Sequence, residues 1–140
     1  MKRILFASAL IIVIVMVLVL FVIYNTTCMF DGMGIGYYVE RNNFETEFSN
    51  FDINISPGFS FSNNKLDLNT KRGVSNFAKE NAIAYETHSC SGSSYYIKSG
   101  ETFVGVSREE MHSKIDEVSG CDGCSVLVGY AMGNIIIKQE

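Results

Sequence analysis

Hydrophobic residues crowd into the first 24 positions of this chain and are patterned, not crowded, after that. Residues 4–24 read ILFASALIIVIVMVLVLFVIY, a run of 21 without a charge in which Ser8 is the only clearly polar side chain. At about 1.5 Å per residue a helix of that length spans about 31 Å, which matches a hydrocarbon core of about 30 Å. In lipid the backbone must satisfy its own hydrogen bonds, and that selects a helix even through a β-branched stretch. Lys2 and Arg3 precede the run, whereas Asn25, Thr26, Thr27 and Asp31 follow it. The positive-inside bias then predicts a cytoplasmic tail at 1–3, a lipid-embedded anchor at 4–24 and an extracytoplasmic remainder. A cleaved signal peptide would have a shorter apolar region ending in small residues, but this run ends Phe21-Val22-Ile23-Tyr24. A lipoprotein site at Cys28 would want small apolar residues where Asn25, Thr26 and Thr27 stand.

Residues 25–36, NTTCMFDGMGIG, read as a glycine-rich tether, and 37–140 as a folded domain. Gly32, Gly34 and Gly36 form G-x-G-x-G, but a phosphate loop needs a strand before it and a helix after it, and neither is predicted here. Tyr37 to Arg41 reads as a strand. Phe51, Ile53 and Ile55, then Phe59 and Phe61, then Leu66 and Leu68 alternate with polar residues around turns at Ser56-Pro57-Gly58 and Asn63-Asn64. That spacing predicts a three-stranded meander. Residues 43–50 fit either a strand or a short helix. Val74 to Asn81 predicts a short helix, and Ile83, Tyr85 and Thr87 a strand.

Tyr95–Lys98 and Thr102–Val106 flank Ser99-Gly100 as a hairpin. Ser107 and Glu110 form a capping box that opens a helix with Met111, Ile115 and Val118 on one stripe and Gly120 as its stop. Val126–Met132 and Ile135–Lys138 flank Gly133-Asn134 as a last hairpin. The fold class is α+β: an N-terminal transmembrane helix, then a small antiparallel-sheet domain with two helices.

Charge narrows the function. All 15 acidic residues but all except two of the 11 basic ones lie beyond residue 24, which leaves that part six charges negative. Such a surface cannot neutralise phosphates, so nucleic acid is excluded as a partner. At 140 residues the chain has room for one domain beyond the anchor.

Cys28, Cys90, Cys121 and Cys124 all lie on the exported side, and an even count in an oxidising compartment predicts two structural disulfides. Three connectivities are open. A local bridge within the C-x-x-C of Cys121 and Cys124 would leave Cys28 to meet Cys90. The same motif could instead serve thiol–disulfide exchange, but nothing near it lowers a thiol pKa, and Asp122 between the thiols acts in the opposite direction. Zinc on Cys121 and Cys124 with His88 or Cys90 has acceptable spacing, yet disulfides compete for the same thiols. No metal and no cofactor is expected.

His88 ends a strand beside the serine-rich stretch 89–94, but no G-x-S-x-G elbow accompanies it, and serines in such loops are usually turn formers. His112 reads as a solvated residue on the capped helix. Glu40, Glu45 and Glu47 read as a solvated acidic edge. Ile135, Ile136 and Ile137 are consecutive, so both faces of the last strand want cover, and a partner could supply one cover or add a strand. Taken together, the residues predict a non-catalytic, membrane-anchored extracytoplasmic interaction module in an envelope or surface assembly, bound to a protein partner or to its own copies. The alternative is an exported thiol-disulfide oxidoreductase.

Overall fold

The computed structural model describes residues 10–23, 34–53, 55, 65–89, 91–131 and 134–139. The chain divides into two compact units, Met1–Asp31 and Gly32–Glu140. In the first, residues 10–23 form helix α1, whose fourteen side chains are all aliphatic, methionine or phenylalanine and each 50–65% exposed. The described helix is about 21 Å long at 1.5 Å per residue. Among the described residues no helix is long and apolar enough to cross a membrane. The remainder of the predicted anchor, 4–9 and 24, lies outside the described residues, as does the tail at 1–3.

The second unit is α+β. Its elements run β1 (Gly34–Glu40), α2 (Arg41–Glu47), α3 (Leu68–Glu80), β2 (Ala84–Ser89), β3 (Gly92–Ser99), β4 (Thr102–Val106), α4 (Arg108–Ser119), β5 (Ser125–Ala131) and β6 (Asn134–Gln139). The six strands make one sheet in the order β4-β3-β2-β1-β5-β6, with every neighbouring pair antiparallel. The first strand in sequence therefore lies inside the sheet, with Tyr37 opposite Tyr85 of β2 on one side and Val128 of β5 on the other.

Helices cover both faces. Phe44 of α2, Phe48 at its C-terminal cap, and Val74 and Ala78 of α3 pack on Val39, Val126, Val128, Ile135 and Ile137. Met111 and Ile115 of α4 pack on Tyr38, Ala84 and Leu127. Successive strand residues point to opposite faces, so two-sided cover demands an unbroken apolar run. Val126-Leu127-Val128 supplies one, and all three are buried. Ile135-Ile136-Ile137 supplies the other, at 1, 5 and 0% exposure.

Several expectations change. Among the described residues the domain holds three helices, not two. Residues 41–47 are helical because Phe44 and Phe48, four apart, reach the same core with ring centroids 5.0 Å from each other. Helix α3 begins at Leu68, six residues before the predicted start: Asp67 caps it by accepting from the Thr70 N–H at 2.8 Å. The capped turn draws Leu68 out of the predicted strand and leaves it 75% exposed, while Leu66 packs on the core. Phe51–Ile53 is an irregular turn after α2, not a strand; the rest of the predicted meander, at 54 and 56–64, lies outside the described residues.

The expected tether loses its last part to β1, which takes in Gly34, Ile35 and Gly36. Glycine is needed at the first position, because a Cβ on Gly34 would stand 2.6 Å from the Tyr130 carbonyl oxygen. Helix α4 has the expected caps: Ser107 accepts from the Glu110 N–H, and Gly120 closes the helix in the left-handed region. Val118, placed on its apolar stripe, is half exposed.

Two outcomes follow for the full chain in detergent micelles. Ile137→Ala should lower the unfolding free energy by about 2–5 kcal/mol, whereas Val118→Ala should stay within about 0.5 kcal/mol, as read by urea titration. Hydrogen bonds from Thr70 hold the Asp67 carboxyl below its ordinary 3.8. A depressed folded value contributes stability that is complete above the unfolded value and lost as pH falls through the folded one. Asp67→Asn, which retains a capping oxygen, should therefore flatten this part of the acid-side decline in melting temperature.

Candidate functional site

The α4-covered face of the sheet carries three glycines side by side at the end away from α4. Gly36 lies opposite Glu86 of β2 and Gly129 of β5, and Gly34 opposite His88. With no side chains there, the sheet has a pit of about 130 Å³. Glu86 and His88 flank it on one side and Ile136 and Lys138 on the other, with Leu127 also lining it. A Cβ on Gly36 would meet Leu127 Cδ1 at 2.7 Å and Glu86 Cγ at 3.4 Å.

Beside the pit runs a hydrogen-bonded chain. Tyr38 donates its hydroxyl to Glu86 Oε2 at 3.1 Å. His88 Nε2 lies 2.9 Å from Glu86 Oε1, and His88 Nδ1 lies 2.7 Å from Ser93 Oγ. A carboxylate only accepts, so Nε2 carries the proton, and in the neutral ring Nδ1 accepts from the Ser93 hydroxyl. The glutamate side chain is 12% exposed and that of the histidine 40%. Tyr38 is held from its other side by His112, whose ring meets it edge-on with centroids 5.9 Å apart. His112 is thus half-buried against this cluster, not the solvated residue expected.

The local fold explains the assembly. Glu86 and His88 are two apart on β2 and share a face. Ser89 pairs with Gly92, so the hairpin between them sets Ser93 opposite His88. Sequence reasoning found the His88 and serine neighbourhood but dismissed it for want of an elbow motif. The available signal was the tight-turn register, which pairs residues 88 and 93.

The thiols lie elsewhere. Cys121 and Cys124 stand at disulfide distance, with Cα atoms 5.4 Å apart, in a turn that Gly123 helps close at φ 78°. Arg41 N–H donates to the Cys124 carbonyl, and Gln139 Nε2 to that of Gly123. The turn follows the C-terminal end of α4, where the helix dipole is negative and works against a thiolate. Cys28 and Cys90 lie outside the described residues.

His88 does not join these cysteines. It pairs with Gly34 at one end of β1, while Ser125, next to Cys124, pairs with Glu40 at the other end, about 20 Å away at 3.3 Å per residue. Ile135 and Ile137 are buried in the chain's own core, and Ile136 lines the pit, so the cover these side chains want comes from within the domain. Of the acidic edge, Glu45 pairs with Arg41 and Glu40 accepts from Asn43.

An aromatic row on the opposite face was not foreseen. Tyr85 stacks on Tyr96 at 4.5 Å, and Phe103 meets Tyr85 edge-on at 4.9 Å. Burial pushes the Tyr85 phenol above its ordinary 10, helped by Tyr96 and Tyr37; Tyr37 is raised likewise, by burial and then by Tyr130.

No family model, curated protein or solved structure matches the chain.

The glycine row makes an ordered forecast for thermal unfolding. Gly34→Ala drives a Cβ into backbone and should cost most, about 1–3 kcal/mol. Gly36→Ala meets the movable end of Leu127 and should cost less. Gly129→Ala, with nothing nearer than 3.9 Å, should cost least.

Proposed function

We propose that the chain is a single-pass membrane protein whose domain acts outside the cytoplasm as an interaction module, a small subunit of an envelope or surface assembly. The observation that carries this reading is α1: apolar at every position, with every side chain half exposed or more. A helix that is apolar all round is stable only where water is excluded, in a membrane or inside a larger protein core. The run from 4 to 24, with Lys2 and Arg3 before it, fits lipid and an exported domain.

The partner side of the reading rests on the sheet edges. Strand β6 pairs only with β5, so one row of its backbone groups faces no strand among the described residues. Because its isoleucines are already buried, a partner there gains main-chain hydrogen bonds instead of side-chain cover. The oxidoreductase alternative is supported by the Cys121–Cys124 pair and opposed by its place beyond the end of α4.

Amine-directed crosslinking in native membranes should give a discrete larger species, protein partner or second copy. A chain that purifies alone as a monomer and crosslinks to nothing contradicts the reading. In the same preparation, replacing Cys121 and Cys124 together by serine should lower the melting temperature and leave the crosslinked species in place; if it abolishes a disulfide-exchange activity, the alternative wins.

A further inference from the structure

We propose that Ser93 is a nucleophile for acyl transfer, with His88 as its general base and Glu86 and Tyr38 as positioning residues, and that its substrates are carboxylic esters of short alcohols. The hydroxyl, imidazole and carboxylate are joined in series at 2.7 and 2.9 Å. Nucleophile and base within hydrogen-bond reach, with the base oriented by a third group, is the arrangement that activates a serine. The proton direction agrees: the Glu86 carboxylate holds the proton on Nε2 and leaves Nδ1 free to take one from Ser93 Oγ. Glu86 is itself fixed by the Tyr38 hydroxyl. Ser93 is exposed at the start of β3, so a substrate can reach it.

The step balances without a further reagent. Ser93 Oγ bonds to the carbonyl carbon while its proton passes to His88 Nδ1. The carbon–oxygen bond to the alcohol breaks, and the alcohol leaves with that proton. Water then attacks the acyl-serine, His88 again taking the proton, and the acid departs with Ser93 restored. In order across the sheet stand Ser93, His88 and Gly34, so the pit lies on the far side of the base from the nucleophile. A leaving group must pass close to the base that protonates it, which directs it over His88 toward the pit. A volume of 130 Å³ equals about four waters, room for a short alcohol with its apolar part against Leu127 and Ile136.

Neighbouring serines supply internal controls. Ser94 pairs with Thr87 and points to the other face. Ser89 and Ser91 hydrogen-bond to one another, and the Ser89 hydroxyl donates to the Gly92 carbonyl.

The full chain in detergent micelles is treated with an alkyl fluorophosphonate, which forms an oxygen–phosphorus bond to an activated serine and expels fluoride. The expected result is one adduct, mapped to Ser93 by peptide mass spectrometry and absent in Ser93→Ala. His88→Gln should slow labelling at least about 100-fold, the usual lower range for loss of a general base. Glu86→Gln and Tyr38→Phe should weaken it less, and Tyr38→Phe keeps the test open if Glu86→Gln does not fold. Hydrolysis of p-nitrophenyl acetate should follow the same order of variants. An unmodified chain, an adduct shared with Ser89, Ser91 or Ser94, or equal labelling of His88→Gln would overturn the proposal.

Discussion

The domain depends on strand β1 being buried along both edges and on both faces. Its neighbours are β2 and β5, and its residues alternate between two cores: Val39 toward α2 and α3, Tyr38 toward α4. The three remaining sheet pairings, β2–β3, β3–β4 and β5–β6, join strands adjacent in sequence. Only β1 joins the two groups, and its pairing with β5 brings together residues from opposite ends of the domain, such as Val39 and Val126. Loop-closure entropy must be met before such a contact gives anything back, so formation of the β1–β5 ladder is the demanding step of folding.

The same strand sets up the polar chain. Its glycines leave the pit open and its Tyr38 hydroxyl holds Glu86, while the tight β2–β3 turn sets Ser93 on His88. A carboxylate largely withdrawn from water is costly unless its oxygens are hydrogen-bonded, and both Glu86 oxygens are. Fixed donors on each oxygen leave the side chain little freedom. The result is a pre-set arrangement on strands, more rigid than one carried on loops.

Much of the fold was legible from local signals. The capped helix from Ser107 to Gly120 and the two C-terminal hairpins are where propensity, periodicity and turn residues agree. Misreadings arose where a pattern serves two structures. Leu66-Asp67-Leu68 alternates as a strand would, but Asp67 is a helix cap, and one hydrogen bond to Thr70 decides between them. Gly34 and Gly36 look like a tether because glycine marks flexible chain as readily as close backbone approach; only the position of Tyr130 and Leu127, far along the sequence, separates the two. Ile135-Ile136-Ile137 announced two-sided burial correctly as a need, but a single chain does not say whether the second cover is a partner or a helix of its own. Glu86, His88 and Ser93 were visible as residues. Their association rested on the register of one hairpin.

The two units present different surfaces. The domain carries all the acidic residues but Asp31 and buries its apolar runs, while the side chains of α1 expose nothing but hydrocarbon and a single methionine sulfur. On the function proposed above, that surface leaves water by insertion in lipid, and Lys2 and Arg3 before it direct the domain to the outer side. Protease treatment of intact cells or spheroplasts, followed by alkaline extraction of the membranes and N-terminal sequencing, tests it most directly. The domain should be digested from outside, and the membrane-retained fragment should still contain residues 4–24. Full protection of the domain, release of the intact chain by alkali, or a mature chain beginning after residue 24 would contradict it.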